Sequence, residues 1–448
     1  MASIEDAIVA SAASAEQSGA KEATLSPQEQ AWIAAASCGD TETLRSLLTS
    51  EAIQPWYESP DLGWSALHFA AENGHTKCVR YLLANGALWN AVDLQGVTAA
   101  EVAWSGNWDK TYAALLEEGV RQTMLLSVLQ KKQNEATMAE DEEGGIESED
   151  AAAADEAEAG PSKMPSQRTS SDQDGGSQQG RATLEGDDDN GSENQRVTLT
   201  APDTGEVAND NLAFLKSPLR FTKDSKGKER CVDQDDNLVM AGWETEIMRR
   251  TASALCRDLK PREWVRDEDG EERWQGFSVL NIGYGLGIVD DFFQKYKPAR
   301  HVIVEAHPDV LAYLDSREIS KAPGVEIVRM RWEDALASGV LGDFDVVYAD
   351  PFAQDYADLK NFFDQVPDLL SGPSARFSFF HGLAGTNRFF YDVYTRLAEL
   401  DLRDVGLETQ WESVKVGMED RQETWKGIKR EYWSLDEFRL PVCQMTVI

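Results

Sequence analysis

A short apolar run that ends in glycines constrains this chain more than any other stretch. Val279–Leu280–Asn281–Ile282 reads as a buried strand, and Gly283–Tyr284–Gly285–Leu286–Gly287 turns it into an amphipathic helix through Ile288, Phe292 and Phe293. Glycines at such a turn allow positive φ and let a ligand reach main-chain N–H groups with no Cβ in between. Glu305 stands 22 residues after Gly283, at the end of a second apolar run, Val302–Ile303–Val304. An acid at that distance is placed to accept hydrogen bonds from the ribose of an adenine-containing cofactor. The same spacing also suits an ordinary strand-to-helix turn, with Glu305 capping the next helix.

The rest of the C-terminal half repeats this alternation. Strand-like runs at Ser278–Ile282, His301–Val304, Val325–Met330, Phe344–Tyr348 and Ala375–Phe380 are separated by helical patterns near Val289–Tyr296, Asp309–Ser316, Leu359–Leu370 and Arg388–Leu400, and a helix over Glu246–Leu259 precedes them. Strands alternating with helices imply an α/β fold with a doubly wound, mostly parallel sheet. The last runs, Trp411–Val416 and Tyr432–Val442, read instead as an antiparallel pair. In such a sheet ligands bind at the carboxyl ends of the strands. Those ends carry Gly283–Gly287, Glu305–Ala306–His307, Arg331–Trp332–Glu333–Asp334 and Tyr348–Ala349–Asp350–Pro351–Phe352. Trp332 also suits a core position, with Glu333 or Asp334 free to accept an adenine amino group, and Asp350 also suits a helix cap. Four such features at one sheet edge point to a cofactor site.

Upstream the chain changes character twice. Gly63–Trp64–Ser65–Ala66–Leu67–His68–Phe69–Ala70–Ala71 restarts 33 residues later at Gly96, and Leu47–Leu48, Leu82–Leu83 and Leu115–Leu116 recur at matching places. The phrase resembles the ankyrin repeat, with Ser-Ala where that pattern has Thr-Pro, and implies about three all-α units within 26–130. Residues 1–25 and 131–210 read as disordered, the second as an acidic linker. Between Gln133 and Asp210 stand 21 acidic and 4 basic residues, with too little apolar surface to offset the entropy of ordering.

The whole chain of 448 residues carries a formal charge of −36. That balance argues against nucleic acid as a partner, which needs a basic face. Its 5 cysteines are scattered without a C-x-x-C and its 5 histidines are unpaired, a pattern of free thiols and no metal site. No apolar run approaches a membrane span of ~20 residues, and the acidic start is unlike a signal peptide, so a soluble intracellular protein is expected.

Met240–Ala241–Gly242–Trp243–Glu244–Thr245 lies just before the first helix of the C-terminal domain. A carboxylate beside an indole suits a guanidinium, through bidentate hydrogen bonds and stacking. This segment, the G-x-G-x-G turn, Trp332–Glu333–Asp334 and the Tyr348–Asp350 region together resemble guanidinoacetate N-methyltransferase. With ankyrin-like repeats ahead of them, they resemble more closely the fungal-type (type IV) protein arginine N5-methyltransferases. The resemblance covers the repeats and all of 211–448. It implies a Rossmann-like class I methyltransferase domain and transfer of a methyl group from S-adenosyl-L-methionine to the δ nitrogen of arginine in a protein, a ribosomal protein being one candidate. It also implies residence in cytoplasm and nucleus and no metal. Residue by residue, Met240 and Met248 line the sulfonium and methionine region, and Gly283, Tyr284, Gly285, Leu286, Gly287 and Ile288 wrap the methionine moiety. Glu305, Ala306 and His307 take the ribose, Trp332 and Glu333 flank the adenine, and Phe221 covers the cofactor. Glu244 and Asp350 hold the guanidino group, with Asp350 also bordering the cofactor. Pro351 stands where the family carries Thr, and Ala349 intervenes between Tyr348 and Asp350, two departures from the family pattern beside Asp350.

Rival readings remain at this point: a methyltransferase of a free guanidino metabolite, one acting on nucleic-acid bases through Asp350–Pro351–Phe352, or an ankyrin adaptor with an inactive methyltransferase-like domain. Repeats suited to docking a protein disfavour the first, and the acidic charge disfavours the second.

Overall fold

The computed structural model describes residues 25–143, 214–266, 272–351, 356–417, 424–429 and 431–446. The chain divides into two units, Met1–Val128 with Asp203–Ile448, and Leu129–Pro202. The expected disordered start and most of the expected acidic linker lie outside the described residues.

Among the described residues the first helices are α1 (Pro27–Cys38), α2 (Thr41–Thr49), α3 (Ala66–Glu72), α4 (Thr76–Ala84), α5 (Ala99–Ser105) and α6 (Asp109–Glu143). Local chemistry fixes their starts. Ser26 and Glu29 form a reciprocal capping box with Pro27 in the first turn, and Thr98 with Glu101 form another. His68 bonds across to the Val97 carbonyl of the next repeat at 3.1 Å. The helix α6 carries on to Glu143, so residues 131–143 are helical where composition had pointed to a disordered tether. Its Lys, Gln, Glu, Ala and Met residues are good helix formers, and extending a nucleated helix costs far less than starting one.

The C-terminal domain is built on a seven-stranded sheet that runs, edge to edge, through Leu407–Lys415, Glu437–Met445, Arg376–Phe379, Val346–Ala349, Ser278–Ile282, Arg300–Glu305 and Val325–Arg329. Its strands are β6 (Ser278–Ile282), β7 (Arg300–Glu305), β8 (Val325–Arg329), β9 (Val346–Ala349), β10 (Arg376–Phe379), β11 (Leu407–Lys415) and β12 (Glu437–Met445). The first five are parallel, while β12 runs antiparallel to both β10 and β11. Leu280, Ile282, Val302, Val304 and Phe377 pack on one face against α11 (Tyr356–Phe363) and α13 (Arg388–Asp404). Val279, Val346 and Tyr348 pack on the other against α7 (Thr245–Cys256) and α8 (Ile288–Lys295). Burial on both faces is why these strands read as continuous apolar runs.

Several features were not expected. The predicted helix over Leu359–Leu370 is two, α11 and α12 (Val366–Leu369), separated just before Pro367. A short helix, α10 (Trp332–Ser338), follows β8. A three-stranded antiparallel sheet, β1 (Arg220–Lys223), β2 (Glu229–Val232) and β3 (Leu238–Ala241), precedes α7, and β4 (Glu263–Arg266) pairs with β5 (Glu272–Gln275). The small sheet matters for function because β3 delivers Met240 and then, in one 3₁₀ turn, Glu244.

Candidate active site

The chain leaves β6 between β7 and β9, on opposite sides of it in the sheet, so their carboxyl ends meet at the switch point. Ile282 is in register with Val304 on one side and Ala349 on the other, which brings Gly283, Glu305 and Asp350 together. The Gly283 N–H donates to the Val304 carbonyl at 2.9 Å, and the Asp350 N–H to the Ile282 carbonyl at 2.8 Å. Gly283 has φ +89°, and a Cβ there would lie 2.4 Å from the Asp350 carbonyl oxygen. No side chain fits that gap. At Gly285 (φ +54°) a Cβ would overlap the Met240 methyl, and the Leu286 N–H donates to Met240 Sδ at 3.0 Å. Beneath the loop the buried Asn281 amide bonds both Asp290 oxygens at 2.9 Å and the Gly283 carbonyl at 3.0 Å.

Glu305 is held rigidly. Its carboxylate accepts the N–H groups of Tyr284 (2.9 Å), Ala306 (2.8 Å) and His307 (2.7 Å). Ionised, a carboxylate has about four acceptor positions, so capacity remains for a ribose hydroxyl. The His307 ring has none to spare: Nδ1 accepts from the Asp309 N–H, which leaves Nε2–H to donate to the Ser217 carbonyl at 2.9 Å. Its place in the site is through its backbone. Trp332 stands edge-on to Phe362 and packs on the main core. Glu333 pairs with Arg331, while its Oε2 is buried without a partner, an acceptor suited to an amino group. Phe221 stacks on Tyr313 at 4.3 Å, and the two border a cavity of about 320 Å³ with Thr222, Lys223, Glu229 and Leu286, on the Leu286 side of the glycine loop. Met248 is buried under Tyr348, whose hydroxyl donates to its sulfur at 3.3 Å. Ile288 begins α8 and packs with both neighbouring clusters. Among the described residues no group of three or more His, Cys, Asp or Glu side chains could hold a metal ion.

The two carboxylates read as guanidinium ligands are brought near one another. Glu244 is 3% exposed. Burial first, and then the Asp350 charge, push its carboxyl well above the usual range. Burial alone pushes Asp350 to about 7. Asp350 keeps some solvent exposure even so, and no donor among the described residues reaches its carboxyl.

Tyr432 completes the group and was not anticipated as a site residue. Its hydroxyl donates to Glu244 Oε1 and accepts from Trp243 Nε1–H at 3.1 Å. Burial and the Glu244 charge hold that phenol well above its ordinary value. The expected strand over Tyr432–Val442 begins only at Glu437, so Tyr432 lies in irregular chain and turns inward. No periodic signal could have located it. Tyr348 adds a second phenol raised by burial and by Asp350 and Glu244.

A glycine loop and a clamped acid at the switch point of this sheet, closed by an antiparallel pair, define a Rossmann-like methyltransferase domain, here preceded by ankyrin repeats. Residues 30–124 match the family model described as ankyrin repeats (3 copies). Over 429 residues, 93% of this chain and 95% of the relative, the sequence is 34% identical to protein arginine N-methyltransferase 2 of Cryptococcus neoformans. The protein of that name from Aspergillus fumigatus is 33% identical over 92% of this chain and 95% of its own. The one from Yarrowia lipolytica is 38% identical over 53% and 48%. The chain belongs to the protein arginine N-methyltransferase 2 family. Among solved structures, a precorrin-6y C5,15-methyltransferase from Geobacter metallireducens aligns with 45% of this chain and 88% of its own at 19% identity and a TM-score of 0.32, too distant a superposition to add to the sheet order.

Proposed function

We propose that this chain transfers a methyl group from S-adenosyl-L-methionine to the δ nitrogen of an arginine in a basic protein, a ribosomal protein being the first candidate, in the cytoplasm and nucleus. The observation that carries the reading is the pair of neighbouring carboxyls, Glu244 and Asp350, each pushed up in pKa by desolvation with no cation beside it among the described residues. A guanidinium is the cation whose planar array of N–H donors can serve both at once. Its arrival relieves their repulsion and restores both to the ionised form.

When bound, the cofactor supplies an electrophilic methyl on sulfur. The residues fitted to hold it are the amides and glycines of Gly283–Gly287, with Met240 over Gly285, Glu305 toward the ribose and the bare Glu333 oxygen toward the adenine. The protein's own task is to present the nitrogen. Glu244 and Asp350 hold the terminal nitrogens and draw positive charge onto them, which leaves the δ nitrogen the richer nucleophile. Tyr432 fixes the Glu244 carboxylate, and the Trp243 N–H fixes Tyr432. Burial strips water from the acceptor. A carboxylate with a raised pKa is also suited to collect the proton released on methylation. The ankyrin repeats of this chain suit capture of the protein that carries the arginine, which favours a protein acceptor over a free guanidino compound.

Glu244→Gln keeps the shape and removes the charge. It should abolish methyl transfer to protein, at least 100-fold by the usual weight of such a group, with cofactor affinity within about twofold of the parent by calorimetry. Near-normal turnover in that variant would reject the assignment.

A further inference from the structure

The ankyrin repeats reach the carboxylate pocket through bonds that substrate capture does not need. Trp89, 4% exposed, stands edge-on to Phe389 and Phe390 at 5.7 and 5.8 Å, and Tyr112 donates to Asp392, all three on α13. At the start of that helix the Asn387 amide has one possible orientation. Its Oδ1 accepts the Phe390 N–H at 3.0 Å, and its Nδ2 donates to both carboxylate oxygens of Glu101, an ankyrin residue, at 3.0 and 3.1 Å.

Asn387 also closes the loop that follows β10, and the loop leads to Tyr432. The Gly385 carbonyl accepts the Ser434 N–H at 2.9 Å, and the Thr386 carbonyl accepts the Ser434 hydroxyl at 3.1 Å. Gly385 lies so close under Trp433 that a Cβ there would be 2.3 Å from the indole. Trp433 follows Tyr432, the donor to Glu244, and its ring lies 5.9 Å from that of Trp243. From Glu101 to Glu244 the contacts are continuous.

We propose that the ankyrin repeats are a positioning element of the methyl-transfer site: through Asn387 and the Gly385–Ser434 bonds they set the Tyr432 hydroxyl that orients Glu244. This rests on the guanidinium reading of Glu244 and Asp350.

The test uses the full chain labelled with ¹³C at tyrosine Cζ, with the Tyr432 resonance assigned by Tyr432→Phe. Asn387→Asp keeps the oxygen that caps α13 and sets a second carboxylate against Glu101. Glu101→Gln in the same chain restores a donor–acceptor pair with its direction reversed, and Gln suits the capping box with Thr98. Asn387→Asp should move the Tyr432 resonance and lower kcat about tenfold, the scale of a sub-ångström misplacement of a reacting group. The loss should be the same with a Gly-Arg-Gly peptide or a ribosomal protein mixture as acceptor, with KM and cofactor affinity within about twofold of the parent. Adding Glu101→Gln should return both signals toward the parent. In a chain already carrying Tyr432→Phe, Asn387→Asp should cost much less. An unmoved Tyr432 resonance, an effect confined to KM for the protein acceptor, or no rescue would overturn the proposal. If the parent methylates neither acceptor, the arginine reading fails, and the resonance and its rescue still decide whether the repeats set Tyr432.

Discussion

Replacing Asp350 by asparagine should stabilise this protein, and increasingly so as the pH rises. Burial holds the Asp350 carboxyl at about 7 against an ordinary 3.8. In the unfolded chain the group is ionised above about pH 4, while the folded protein keeps its proton until about pH 7. Between those values the folded state binds more protons than the unfolded one. Stability therefore falls as pH rises through that window and levels off above it. At about 1.4 kcal/mol per pH unit the full penalty is about 4 kcal/mol. Asp350→Asn removes the titration. Its stability gain should be near zero at pH 4, grow through pH 5 and 6, and reach a plateau above pH 7, on the order of 5–10 °C in Tm for a domain of this size. Thermal unfolding of parent and variant across that range measures it. Ethylguanidinium, as a soluble stand-in for the arginine head, should flatten the parent's curve and leave the variant's little changed. A pH-independent difference, or a variant that loses stability relative to the parent above pH 7, would refute a desolvated, unpartnered carboxyl at this position.

Two further outcomes follow from the same geometry. Gly283→Ala places a methyl 2.4 Å from the Asp350 carbonyl at φ +89°; cofactor affinity by calorimetry should fall at least 100-fold, an amount a misplaced loop readily accounts for. Tyr432→Phe removes the bond that lowers the Glu244 pKa; the acid limb of the kcat–pH profile should move to higher pH, and an unmoved limb would detach Tyr432 from the reaction.

Much of the frame was legible because local pattern and fold agree. The strand at Ser278–Ile282 is found as expected, since parallel strands buried on both faces announce themselves as apolar runs between glycine turns. Gly283, Glu305 and Asp350 could be placed at one edge because the doubly wound sheet requires it. The small sheet β1–β3 was hidden because its strands are four residues each, too short for a period to show. Glu244 could be singled out only by its Trp neighbour and the family resemblance. Tyr432 could not be singled out at all, since its contact with Glu244 spans 188 residues and depends on tertiary packing. The coupling of Glu101 to Asn387, 286 residues apart, is of the same kind: each looks locally like a helix-capping residue, and both are.

The central claim concerns which nitrogen receives the methyl. Incubation of the full chain with isotopically labelled S-adenosyl-L-methionine and ribosomal protein, followed by hydrolysis and fragmentation mass spectrometry of the labelled residue, distinguishes the isomers. The carboxylate pair holding both terminal nitrogens predicts N5-monomethylarginine in protein, absent with Glu244→Gln. Label on a terminal nitrogen, or only in a free guanidino compound, would contradict it.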